Sequence, residues 1–455
     1  MKIIIVGCGK VGQTLAEELN KEDNDITIID TKYNLVQEIA SKFDVMGVVG
    51  NGSSYKIQME AGIEKADVLI AVTGSDELNL LCCLIAKRAG NCQTIARVRN
   101  PEYNEEVSFI KETLGLAMII NPEYTAASEI ARVLRFPSAI KVDTFAKGRI
   151  ELLKFKMPEG SILDGMLVMD IVPKLGCDIL VCAVERGEEV FIPKGNFRLQ
   201  AKDVISIVAG PKKASEFFKK IHIDTHQVKD TMIVGGGAIA YYLTQILLHM
   251  GISVKIVEKE IDRCEILTTL LPKAQIINGD ASEQNLLLEE GLEQAEAFVA
   301  LTNLDEENIM LSLYAKSKSD AKVATKINRT AYNQVIKELD LDTTVYPKNV
   351  TAQYIIQFVR AMKNSIGCNV ESMCRIIEDK AEALEFVVKP NSELVGIPLE
   401  RLAIKENALV ACIVRNRKAI TPRGHDSMQV GDFVVVVTST IGVKDISDVI
   451  SVYDD

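Results

Sequence analysis

Along the first 120 residues, short apolar runs rich in Val and Ile alternate with longer stretches whose apolar residues recur every three or four positions. The runs at Lys2–Val6, 26–29, 45–49, 68–72 and 94–98 are apolar at nearly every position, the mark of strands buried on both faces of a parallel sheet. Between them, residues 11–19, 35–43, 55–61 and 77–89 predict helices that cover that sheet. One further helix is predicted at 122–134, leaving the sheet. From about residue 150 to 208 the texture changes to short alternating strands, turn residues and few long helical periods, which predicts a small β-rich domain.

The whole pattern then recurs. A shift of 228 residues places Gly7 on Gly235, Gly9 on Gly237 and Asp30 on Glu258. A shift of 229 places Gly50-Asn51-Gly52-Ser53 on Gly279-Asp280-Ala281-Ser282, and Asp76-Glu77-Leu78-Asn79 on Asp305-Glu306-Glu307-Asn308. The β-rich texture repeats too, with Ala201-Lys202-Asp203 answering Val430-Gly431-Asp432. Sequence self-similarity at a fixed offset means an internal duplication. The predicted order is therefore α/β, small β-rich, α/β, small β-rich, with a polar join near 221–230 and with 347–359 as the counterpart of the helix at 122–134.

Composition narrows the class. The 455 residues are 47% hydrophobic and 25% charged, an ordinary globular balance sufficient for about three or four domains. A net charge of -11 argues against a general affinity for nucleic acid or for anionic lipid. No apolar run has the length of a membrane span, and the glycine loop follows the first strand too soon for a cleaved signal, so a cytoplasmic protein is expected. Ten cysteines without a C-x-x-C pair read as buried free thiols. His222 and His226 alone stand at helical ligand spacing, with no third ligand, so no metal site is expected.

Candidate chemistry sits at the strand ends. Gly7, Cys8, Gly9, Lys10, Val11 and Gly12 follow a strand and open a helix, and so do Gly235, Gly236, Gly237, Ala238, Ile239 and Ala240. Such a loop turns tightly and lets backbone N–H groups approach a pyrophosphate at a helix N-terminus. From the middle glycine to a strand-terminal acid, Asp30 or Glu258, is 21 residues in both copies, the spacing of a carboxylate that binds ribose hydroxyls and repels a 2'-phosphate. NAD or an adenine nucleotide is therefore expected over NADP. Asn51 and Asp280 fall where an adenine ring would pass, and Thr73-Gly74 and Thr302-Asn303 end the fourth strands, although plain strand-to-helix connections account for these pairs almost as well. Strand alternation aims Arg97 and Arg99 at one face, toward phosphates. The second copy has Lys326 and Asn328 there, so its site should prefer less phosphate charge. No histidine lies in residues 1–221, and no acid and base pair marks a cleft, which leaves hydride transfer without a proton partner.

The motifs Ile4-Ile5-Val6-Gly7-Cys8-Gly9-Lys10-Val11-Gly12, Ala96-Arg97-Val98-Arg99-Asn100-Pro101 and Asn121-Pro122-Glu123, with their repeats, cover nearly the whole chain. In this combination the chain resembles the regulatory subunit of Trk-type potassium uptake systems, a tandem of two RCK (regulator of potassium conductance) modules. The resemblance implies an α/β fold class: two Rossmann-like parallel-sheet domains at 1–136 and 228–360, each followed by a small β-rich α+β domain, at 137–222 and 370–455. It implies a non-catalytic nucleotide sensor that forms a homotetrameric ring on the inner face of a membrane potassium-translocating subunit. NAD(H), ATP and ADP are the implied ligands. Gly7 to Gly12, Asp30, Thr73 and Arg97 would hold the first, and Gly235 to Ala240, Glu258, Thr302 and Lys326 the second. An NAD-dependent dehydrogenase is the alternative, and it requires a catalytic histidine or lysine in a cleft.

Overall fold

The computed structural model describes the chain except at residues 23, 102, 104–105, 137–138, 146–148, 188, 224–226, 330–332, 340, 365–369, 378–379, 391, 417, 441–442, 444 and 453–455. Two compact units emerge: Met1–Ala131 with Val228–Val359, and Arg132–Gln227 with Arg360–Asp455.

In the first unit, the strands Lys2–Val6, Asp25–Asp30, Met46–Val49, Val68–Ala71, Gln93–Arg97 and Met118–Ile120 form one sheet in the order third, second, first, fourth, fifth, sixth. Every pairing in it is parallel. The duplicate sheet, from Asp230–Val234 to Thr343–Val345, has the same order and is also parallel throughout. Ile3, Ile4, Ile5 and Val6 are all buried, as a first strand covered on both faces requires. Because the strand order reverses between the first and fourth strands, their carboxyl ends open a crevice, the usual ligand position in such sheets.

The sequence reading missed the sixth strand of each sheet. Met118–Ile120 and Thr343–Val345 are three residues long, too short for periodicity to register. Each is followed directly by a long helix, Pro122–Arg135 or Pro347–Asn364, with proline at its first position. The two sheets' modules touch within this unit: Asn121 donates from Nδ2 to the Tyr242 hydroxyl at 3.0 Å, and Tyr354 donates to Glu129 Oε1 at 3.2 Å.

The second unit holds two five-stranded antiparallel sheets, one built from strands between Lys141 and Ala209 and the other from strands between Val370 and Thr438. Leu152, Cys182 and Val208 of one sheet share a core with Ala383, Cys412 and Val435 of the other. The repeat is visible in a buried ion pair: Arg186 grips Asp203 through Nε and Nη2, both at 2.8 Å, and Arg415 grips Asp432 in the same way. Helices at Val168–Leu175 and Pro211–Lys220 also belong to the first small domain, where the sequence pattern predicted few. Among the described residues, no helix is long and apolar enough to cross a membrane.

Candidate functional site

Each candidate site begins where its first strand ends. Gly7 has φ +104°, and a Cβ there would lie 3.0 Å from the backbone of Val72 and Thr73, so only glycine fits. Gly235 repeats this at φ +95° against Leu301 and Thr302. Gly9 and Gly237 differ in kind, since both have extended backbone just before a helix and a Cβ on either would meet nothing within 4 Å. That open space lies over the start of the helices Lys10–Asn20 and Ala238–His249, where the unpaired N–H groups point. Gly12 packs so closely that a Cβ would stand 1.9 Å from the Gly7 carbonyl oxygen, yet Ala240 occupies the corresponding place in the second copy, fully buried.

The acids reach back into these loops. Asp30 accepts the Cys8 backbone N–H at 2.7 Å on one oxygen and the Lys32 N–H at 3.0 Å on the other. Glu258 accepts the Gly236 N–H at 2.6 Å and the Glu260 N–H at 2.8 Å. A carboxylate has about four lone-pair sites, so each acid retains acceptor capacity for two ribose hydroxyls. The residues present therefore fit a dinucleotide. Cys8 contributes its N–H, because its side chain is buried and its thiol is pushed up to about 12 by burial and by Asp30. Arg263 braces the second loop from outside by donating to the Gly236 carbonyl at 2.7 Å, a contact the sequence did not suggest.

The fourth-strand ends are held by two residues outside the predicted set. Fully buried Asn79 accepts from the Thr73 N–H at 2.8 Å and the Thr73 hydroxyl at 2.7 Å, while donating to the Arg97 carbonyl at 2.8 Å. Asn308 repeats this, accepting from Thr302 N–H at 2.8 Å and donating to the Lys326 carbonyl at 3.0 Å. The signal was present in the repeated Asp-Glu-x-Asn motif. Gly74 leaves open space for a Cβ, and Asn303 lines the cleft described below.

Arg97 is mostly buried and donates to the Thr73 carbonyl, and Lys326 takes the corresponding place with its ammonium 3.4 Å from the Leu301 carbonyl. Burial lowers the pKa of both, which marks cations kept partly out of water. Arg99 departs from the expected alternation. The strand ends at Arg97, and beyond it Arg99 turns to Glu123, with Nε 2.7 Å from Oε1. Both arginines nonetheless border one cleft, of about 380 Å³, together with Lys10, Val11, Ala238, Ile239 and Lys326. Asn51 and Asp280 are occupied with their own turns: Asn51 accepts from Ser53 N–H at 3.0 Å, and Asp280 accepts from Ser282 N–H at 2.9 Å and pairs with Lys259 at 2.8 Å. Lys259 and Ser282 hold the Asp280 carboxyl well below the usual carboxylate range. The His222 and His226 spacing lies outside the described residues, since residue 226 is not among them. The eight cysteines described are all buried.

Two glycine-loop modules of one plan, each followed by a small antiparallel domain, define a tandem of nucleotide-fold modules. The chain belongs to the TrkA family of potassium uptake proteins: residues 3–122 and 231–347 match the TrkA-N domain, and residues 152–222 and 383–451 the TrkA-C domain. It is 31% identical over 449 residues to the Trk system potassium uptake protein TrkA homolog of Archaeoglobus fulgidus, covering 99% of this chain and 100% of that one. To the Trk system potassium uptake protein TrkA of Haemophilus influenzae it is 33% identical over 448 residues, covering 96% of each. Among solved structures, the GsuK RCK domain matches at a TM-score of 0.62 with 15% identity, over 96% of this chain and 92% of that one. The GsuK channel bound to NAD matches at 0.62 with 14% identity, over 96% and 77%, and GsuK bound to ADP at 0.50 with 13% identity, over 79% and 69%. These show a shared fold.

Proposed function

We propose that this chain is the nucleotide-sensing regulatory subunit of a Trk-type potassium uptake system and performs no covalent chemistry. The observation that carries this reading is the repeated site: a glycine loop closed by a hydrogen bond from its own strand-terminal acid, once at Cys8 and Asp30 and again at Gly236 and Glu258. Length that a dehydrogenase would give to a chemistry domain goes instead to a second copy. The names of the relatives support the potassium role, and the channel structures holding NAD and ADP support the ligand class.

In the first module, Gly7, Gly9, Gly12, Asp30, Thr73 and Arg97 would hold NAD(H), ATP or ADP. In the second, Gly235, Gly237, Glu258, Thr302 and Lys326 would hold NAD(H), because Lys326 and Asn328 offer one point charge where the first copy has two guanidinium forks. A bound nucleotide here is an effector. It shifts the balance between two arrangements of the modules by the difference in its affinity for them, and one that binds both equally changes nothing. The helices Pro122–Arg135 and Pro347–Asn364, which carry the chain out of each sheet, are the levers in this scheme. The assembled form would be a homotetrameric ring, cytoplasmic and peripheral to the membrane through its potassium-translocating partner.

Titration calorimetry of the purified chain with NADH, ATP and ADP tests the reading, and saturable binding of each is expected. Failure of all three to bind at millimolar concentration, or their turnover by the protein, would overturn it.

A further inference from the structure

The cleft bordered by Arg97 and Arg99 is shared by both α/β modules, and its charge is one-sided. Lys10, Arg97 and Arg99 enter from the first module, Lys326 and Lys348 from the second, against a single carboxylate, Glu123. That carboxylate is already paired with Arg99. Lys348 stands where the internal repeat places the counterpart of Glu123, each being the residue after the proline that opens a long helix. The duplication thus inverts the charge at this one position.

Lys348 is placed at some cost. It lies in the first turn of the helix Pro347–Asn364, the end whose dipole disfavours a cation. Its ammonium is within 3.5 Å of only a backbone carbonyl, that of Asn328. Burial and then the neighbouring Lys10 push its pKa down, while Asp305 acts weakly in the other direction. Asp305 is itself engaged by the Asn328 and Arg329 N–H groups, both at 2.9 Å, and by the Arg329 side chain. Among the described residues, neither Lys10 nor Lys348 has a carboxylate at ion-pair distance. Two facing ammonium groups in a partly closed cleft repel each other unless an anion lies between them.

Lys10 is the first residue of the helix that the Gly7 to Gly12 loop opens, so this pair sits at the phosphate end of the first site. We propose that Lys348 completes that site from the other module, gripping with Lys10 the terminal phosphate of a nucleoside triphosphate, so that phosphate number is read across the module interface. The inference rests on the nucleotide-binding reading above. A diphosphate or a dinucleotide, whose phosphates end at the glycine loop, would leave Lys348 without its partner and the two modules less tightly coupled.

Calorimetry on the full chain with ATP, ADP and NADH, comparing wild type with Lys348→Met and Lys348→Arg, tests this. Lys348→Met is expected to weaken ATP binding about tenfold while ADP and NADH change less than about threefold, and Lys348→Arg, which keeps the charge, is expected to stay within about threefold of wild type for ATP. Unchanged ATP affinity in Lys348→Met would overturn the proposal. So would an equal fall for all three nucleotides, or a fall in Lys348→Arg as large as in Lys348→Met, since either makes the position structural. Wild-type protein that binds none of the three would defeat the nucleotide reading itself, an outcome distinct from binding that ignores Lys348.

Discussion

Asp30 accepts the backbone N–H of Cys8 across 2.7 Å, fastening the end of the second strand to the loop that follows the first. The carboxylate therefore sets the loop's shape before any ligand arrives, and its free lone pairs face the position of a ribose. Asp30→Ala removes both roles. A hydrogen bond to a charged group contributes about 1.5–3 kcal/mol, and the low end suits a half-buried acid. We expect a stability loss of about 1.5 kcal/mol in urea unfolding, a fall in NADH affinity of at least about tenfold, and a narrowed preference for NADH over NADPH. An unaltered NADH to NADPH ratio would remove Asp30 from ribose recognition.

The loop glycines separate folding from binding. A Cβ on Gly9 meets no protein atom within 4 Å, whereas one on Gly12 would stand 1.9 Å from the Gly7 carbonyl oxygen. Gly9→Val should cost only the about 1 kcal/mol of a poorer helix N-cap, yet abolish nucleotide binding at the first site by filling the phosphate's space. Gly12→Ala should cost about 2–3 kcal/mol through overpacking. Denaturation midpoints set beside binding isotherms check the pair, and a Gly9→Val protein that still binds nucleotide at the first site would show that the open space is not the phosphate's.

In the small domains the Arg186 and Asp203 pair has unequal halves: the aspartate side chain is 1% exposed and the arginine 30%. Asp203→Ala leaves a guanidinium that water can reach, whereas Arg186→Ala strands a buried carboxylate. Removing one partner of a buried pair costs about 3–5 kcal/mol. Arg186→Ala should approach about 3 kcal/mol and Asp203→Ala about half of that, with the same ranking for Arg415 and Asp432. Equal losses in urea unfolding would contradict the burial argument.

Much of this was legible in the chain, and the limits have physical causes. Strands buried on both faces, such as Lys2–Val6, announce themselves by continuous hydrophobicity, and glycines at forced positions such as Gly7 survive duplication. The self-comparison that exposed the repeat also hid Lys348, because aligning two halves rewards identity and passes over a position where Glu123 faces a lysine. Arg99 was misplaced by extending strand alternation two residues past the last ladder pair, Arg97 with Ile120. Asn79 and Asn308 were visible as a shared motif, but only their hydrogen bonds reveal that they hold the ends of two strands. The short helix Val168–Leu175 carries Pro173 in its interior, which local pattern reads as a break.

The most direct test is potassium flux through the membrane-embedded Trk-type subunit, reconstituted into vesicles with and without this chain and with ATP, ADP or NADH added in turn. The account predicts that flux depends on the chain, changes with the nucleotide, and loses most of its ATP response in Arg97→Ala while keeping its NADH response. Flux that is the same with and without the chain, or indifferent to every nucleotide when the chain is present, would contradict it.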